Sequence, residues 1–118
     1  MLRLNSGSQS SVLIMGLILS LGVADVIIGS AEITLHASGV MSLKEKRMVV
    51  KSIIAKTQNK FNVSIAEVDE QDTLQTVVLG IAWVAGTVRQ ADGILEKLLA
   101  FVEVNTDAEI VNIQHELR

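Results

Sequence analysis

The stretch Ser42-Leu-Lys-Glu-Lys-Arg-Met-Val-Val-Lys51, with Phe61-Asn-Val-Ser-Ile-Ala-Glu-Val-Asp69 following it, decides the fold. Ser42 and Glu45 stand at capping-box spacing, so a helix starts at Leu43. Leu43, Val50, Ile53, Ile54 and Thr57 recur at helical intervals and carry that helix to about Lys60. Asn62 to Asp69 then alternates as a strand. A helix feeding directly into a strand is half of a split β-α-β unit.

Working outward gives the rest of the unit. Val26 to His36 alternates, with Ile27, Ala31, Ile33 and Leu35 on one face and Ser30, Glu32, Thr34 and His36 on the other. Gly39 marks the turn before Ser42. Glu70 to Thr73 reads as a turn. Gln75 to Ala85 reads as a strand that is apolar on both faces: Val77, Leu79, Ile81 and Trp83 against Val78, Ala82 and Val84. Thr87 and Gln90 form a second capping box. Val88, Ala91, Leu95, Leu98 and Val102 line a second helix ending near Asn105, and Ala108 to Glu116 is the last strand. The order βαββαβ predicts an α+β, ferredoxin-like sandwich: a four-stranded, antiparallel-dominated sheet with two helices on one face.

Composition bounds the chemistry. The chain has 118 residues, no cysteine and no proline, and a net charge of −3. Thiolate metal sites, disulfides and cysteine nucleophiles are therefore excluded. The aromatics are Phe61, Trp83 and Phe101, too few for a base-stacking sheet of the RNA-recognition type. His36 and His115 fall near opposite ends of neighbouring strands, about 25 Å apart if the strands align end to end. They share no metal or catalytic task. Asp69, Glu70 and Asp72 lack calcium-loop spacing. No nucleophile has a base at a recognisable spacing, and no glycine-rich phosphate loop is present. The expectation is a protein that is not an enzyme, with no cofactor and no metal.

The charge distribution is more telling than the total. Six of the ten Lys and Arg residues lie between Lys44 and Lys60, beside a single acid, Glu45. Lys44, Arg47 and Lys51 fall at i, i+3 and i+7, one stripe along the helix. Lys46 turns toward the apolar side, where a lysine ordinarily snorkels. Positive charge in a first helical turn opposes the helix dipole, and a bound anion at the Ser42 start would reverse that penalty. The competing reading is a solvated face, or pairing of the stripe with Asp92, Glu96 and Glu103 of the second helix as surface ion pairs.

Residues 1–25 form an apolar extension, with Val12 to Ala24 continuous in apolar and small residues. It is signal-like, with Gly22-Val-Ala24 as a small-residue cleavage site, or an artefact of the start site ahead of a domain at 26–118. A membrane span is not expected, because Asp25 interrupts a run that is already short. Cytoplasmic localisation follows, or export if residues 1–24 act as a signal peptide.

Ser42–Arg47, Phe61–Asp69 with Gln71-Asp72, Val78-Leu-Gly-Ile-Ala82, Phe101-Val-Glu103 and Glu109–Val111 together resemble the YlxP-like family, domain of unknown function 503. The resemblance spans about residues 26–118. It departs at Leu74, where relatives usually carry Trp, at Thr76, where they often carry a basic residue, and at Ala85-Gly86-Thr87. The family is bacterial and ferredoxin-like, and its genes often accompany those for translation factors and ribosome maturation. The resemblance thus implies an RNA or ribosomal partner, by association.

Two expectations about partners follow. The first is a small non-catalytic module that meets RNA or a ribosomal surface, not DNA, with Ser42, Lys44, Arg47 and Lys51 as the contact. The alternative is an oligomeric protein or an enzyme holding a small anionic ligand at that helix start. The second expectation is self-association through Val78, Ala82 and Val84, the apolar outer side of the third strand.

Overall fold

The computed structural model describes residues 26–118; the expectations for the apolar extension lie outside the described residues. Six elements follow in order: β1 (Ile27–His36), α1 (Leu43–Lys60), β2 (Ser64–Asp69), β3 (Thr76–Ala85), α2 (Val88–Asn105) and β4 (Glu109–Leu117). The strands form one sheet in the order β2-β3-β1-β4, and every neighbouring pair is antiparallel. This is the ferredoxin-like α+β fold that the residue pattern predicts.

Register decides what each face carries, since opposed residues on antiparallel strands point the same way. Ile33 lies opposite Leu79 on β3 and Ile113 on β4, and Ile81 lies opposite both Ala31 and Ile65. Ala31, Ile33, Ile65, Leu79 and Ile81 form the buried core face with Leu35, Val77 and Trp83, and Ile113 lies at its exposed margin on the edge strand. Val50 and Ile53 of α1 and Leu95, Leu98 and Val102 of α2 pack onto it, so both helices cover the same side. The rings of Phe61 and Phe101 meet edge to face, with centroids 5.5 Å apart, and join the end of α1 to α2.

Both helix starts form as their sequences dictate, with one shared variation. The Ser42 hydroxyl accepts from the Glu45 N–H at 3.1 Å, and the Thr87 hydroxyl from the Gln90 N–H at 3.1 Å. The reciprocal bonds reach one residue further back than a capping box requires. Glu45 accepts from the N–H of Met41, and Gln90 from that of Gly86. At the other end of α2 the helix runs through Asn105 and Thr106 is the cap. The Asn105 amide donates to the Phe101 carbonyl instead.

Trp83 is core. It is 2% exposed, and its indole N–H donates to the Ala91 carbonyl at 3.1 Å. Gly29 stands opposite it on β1, and a Cβ there would lie 2.2 Å from the indole ring. The ring therefore occupies the space that any other residue at position 29 would need. Strand ends shift slightly from the sequence expectation: β2 starts at Ser64 rather than Asn62, and β4 ends at Leu117.

Candidate functional site

Lys44, Arg47 and Lys51 are all exposed on the outer side of α1. Their orientation follows from their neighbours. Glu45 and Val49 line a cleft of about 260 Å³ with Thr106, Asp107 and Ala108, so that flank of α1 faces the α2–β4 connection. Arg47 and Lys51 are each two residues further on, about 200° around a helix of 3.6 residues per turn. The stripe therefore turns away from α2. The acids of α2 turn away as well. Phe101 faces α1 through Phe61, and Glu103 stands about 200° from Phe101, with Asp92 and Glu96 on its flank.

The consequence is electrostatic. The ion pairs among the described residues are Lys46–Glu67 and Arg118–Glu116, and neither joins α1 to α2. The stripe and the acids do not neutralise one another within the chain. The basic face of α1 and the acidic flank of α2 stand at opposite sides of the molecule.

Lys46 is the residue that the sequence reading placed wrongly. It does not snorkel: it is 1% exposed. Among the buried residues of α1 it sits with Val50, Ile53 and Thr57, in the middle of the packed face. Its ammonium lies 3.0 Å from Glu67 Oε2 on β2 and donates a hydrogen bond to the Glu70 carbonyl. Glu67 is 16% exposed, and its Oε2 lies off the hydrogen-bonding direction, so that contact is ionic. The backbone at Glu70 adopts φ 56°, the left-handed region. That conformation is held from three directions: the Glu70 N–H donates to Asp69 Oδ1, its carbonyl accepts from the Thr73 N–H, and its carboxylate accepts from the Thr73 hydroxyl. The acidic turn is thus an internally bonded support for the α1 start. No cluster of three potential metal ligands occurs among the described residues. A signal for Lys46 existed in the sequence: at 100° per residue it falls between Val50 and Ile53 on the wheel.

Ser42 sets the helix start, and its hydroxyl is already engaged there. The cleft beside that start carries the carboxylates Glu45 and Asp107 and no cation. Of the sheet residues singled out by sequence, Val78 is 5% exposed and buried within the chain, Ala82 is half-buried and Val84 is 66% exposed. The open sheet face forms a hollow of about 730 Å³ floored by Ala66, Gly80 and Ala82, with Glu32 projecting from β1 beside them. His115 lies opposite Ala31, five positions from His36. That is about 17 Å at 3.3 Å per residue, closer than end-to-end alignment implies but still too far for a shared site. No described helix is long and apolar enough to cross a membrane.

Comparison with known proteins places the chain. A family model described as "Protein of unknown function (DUF503)" matches residues 28–115. The chain belongs to this family. A similar family member is the uncharacterised protein YlxP of Bacillus subtilis (strain 168), 46% identical over 76 residues, which are 64% of this chain and 83% of that protein. The DUF503 match spans β1 through most of β4, so the basic stripe, the Lys46 pair and both helix caps all lie within the family's region.

Proposed function

We propose that the protein is a non-catalytic binding module whose α1 surface meets RNA or an RNA-rich ribosomal surface in the cytoplasm. The observation carrying this reading is that Lys44, Arg47 and Lys51 are exposed, aligned, and without an ion-pair partner among the described residues. Three cations held on a rigid helix suit a polyanion backbone, which is read by charge and not by base. The internally packed aromatics favour the same mode. Trp83 is core and Phe61 packs on Phe101, so no aromatic platform competes as the contact. The alternative of a small anionic ligand at the Ser42 start is disfavoured, because the adjoining cleft presents carboxylates and the cap hydroxyl is engaged.

The test is fluorescence anisotropy of the full chain with a labelled single-stranded RNA over a range of salt. Three neutralised phosphates predict a log–log slope of about −2. Lys44→Glu/Arg47→Glu should lose most of the affinity while keeping the circular-dichroism spectrum. Equal binding by both forms would remove the stripe as the site. Absence of binding to RNA and to purified ribosomes at low salt would remove the reading itself.

A further inference from the structure

We infer that the two lateral edges of the sheet are the complementary halves of one self-association contact, the β4–α2 side of one copy docking on the β2–α1 side of the next. Among the described residues the sheet is open at both ends, with β2 and β4 as edge strands. β4 is the longer, and Val111 and Ile113 on it are exposed. A long edge with exposed apolar residues is a template for another strand.

Direction, spacing and charge all fit a second copy in that place. β2 and β4 both run antiparallel to their neighbours within the order β2-β3-β1-β4. If the sheet simply continues, β4 of the next copy meets β2 antiparallel, with the helices still on one side. The α2 helix of that copy then lies beside α1, also antiparallel. Two strand spacings come to about 10 Å, within the 8–10 Å range of packed helices. The facing flanks are the ones without an ion-pair partner among the described residues: Lys44, Arg47 and Lys51 on α1, Glu96 and Glu103 on α2. Lys44 and Lys51 are one heptad apart, and so are Glu96 and Glu103. Both pairs span about 10.5 Å of helix. In the antiparallel arrangement Lys44 meets Glu103 while Lys51 meets Glu96. Asp69 and Glu109 stand near the same end of their strands and oppose the contact, so the helix pairs must outweigh them.

The open sheet face carries exposed Val84 and half-exposed Val68, the latter lying over Gly80, but it is the poorer surface for a second copy. Val78 is already buried there, and Glu32 projects beside the hollow without an ion-pair partner among the described residues. Stacking a copy on it would desolvate that carboxylate. An edge-to-edge contact is heterologous, so it closes into a ring or runs on as a filament. It stands independently of the RNA reading, although both use the same cations.

Sedimentation of the nuclease-treated full chain tests the contact. The wild type should assemble, and assembly should weaken as salt rises. Lys44→Glu/Lys51→Glu and Glu96→Lys/Glu103→Lys should each be monomeric alone, since each then sets like charges against one another. Mixed in equal amounts they should assemble again, because every contact in the mixture joins opposite charges. That rescue cannot come from misfolded variants. A monomeric wild type, assembly that survives both reversals, or a mixture that stays monomeric would each overturn the inference. RNA binding is read separately: Glu96→Lys/Glu103→Lys keeps the α1 stripe, so its anisotropy titration reports on RNA whatever the state of assembly.

Discussion

A lysine in the middle of a packed helix face is a costly residue unless its charge is answered. Lys46 is answered by Glu67 and by the Glu70 carbonyl. Lys46→Ala removes the cation and leaves Glu67 without it in a largely buried position, a change that typically costs about 3–5 kcal/mol. Replacing both, as Lys46→Met/Glu67→Leu, should be far milder, because an apolar pair of similar volume carries no desolvation penalty. Urea denaturation of the two single variants and the double gives the coupling directly. Additive losses would mean that the pair does not act as one. Gly29 makes a second claim of this kind. Gly29→Ala drives a methyl into the Trp83 indole, and overpacking of this sort costs about 1–3 kcal/mol before the indole–Ala91 bond is counted. The melting temperature should fall by roughly 4–8 °C per kcal/mol lost. Gly39→Ala, where a Cβ meets nothing within 4 Å, is the control that should leave melting unchanged.

The elements were legible wherever one period ruled. The α1 boundaries, both caps and the alternating face of β1 follow from residue spacing alone, since each rests on contacts within a few positions. Thr87→Ala tests how much one such contact holds: loss of the hydroxyl frees the Gln90 N–H and should cost about 1 kcal/mol, read as a shift in the denaturation midpoint. Apart from Lys46, whose place on the helical wheel was legible, the features that sequence reading missed on the sheet depend on register between strands, which no single segment encodes. Gly29 matters because β1 and β3 align it with Trp83. The buried side of Val78 and the distance between the histidines are fixed the same way. The α1 stripe itself was legible, but its separation from the acids of α2 was not. Side-by-side helices allow two flanks to face each other, and only the Phe61–Phe101 contact and the Glu45–Val49 cleft show which flanks do. In the isolated chain the reversal Lys44→Glu/Arg47→Glu should raise stability slightly, by about 0.3–1 kcal/mol, chiefly through position 44 in the first turn, since acids suit a helix start. A lower melting point for that variant would mean that the stripe supports the fold.

At the scale of the molecule, the two-layer sandwich of the described residues leaves one sheet face without a layer above it. The helix side is closed: Ile33, Leu35, Val77, Leu79, Leu98 and Val102 are almost wholly buried by the six described elements alone. The other side is mixed. Ala66, Gly80 and Ala82 form a small-residue floor, and Ser30, Ser64, Glu32 and Gln114 keep it polar enough to face water. Antiparallel sheets tolerate that arrangement. Residues 26–118 should therefore fold on their own. A chain beginning at Val26 should unfold cooperatively, with the same urea midpoint as the full chain and a proportionate m-value. The measurement also bears on the open face. If trimming lowered the midpoint with the helix-side core intact, the hollow over Gly80 and Ala82 would require cover from residues before Val26. If the midpoint held, the open face would need no cover from those residues and would stand free for partners beside the α1 stripe and the two sheet edges.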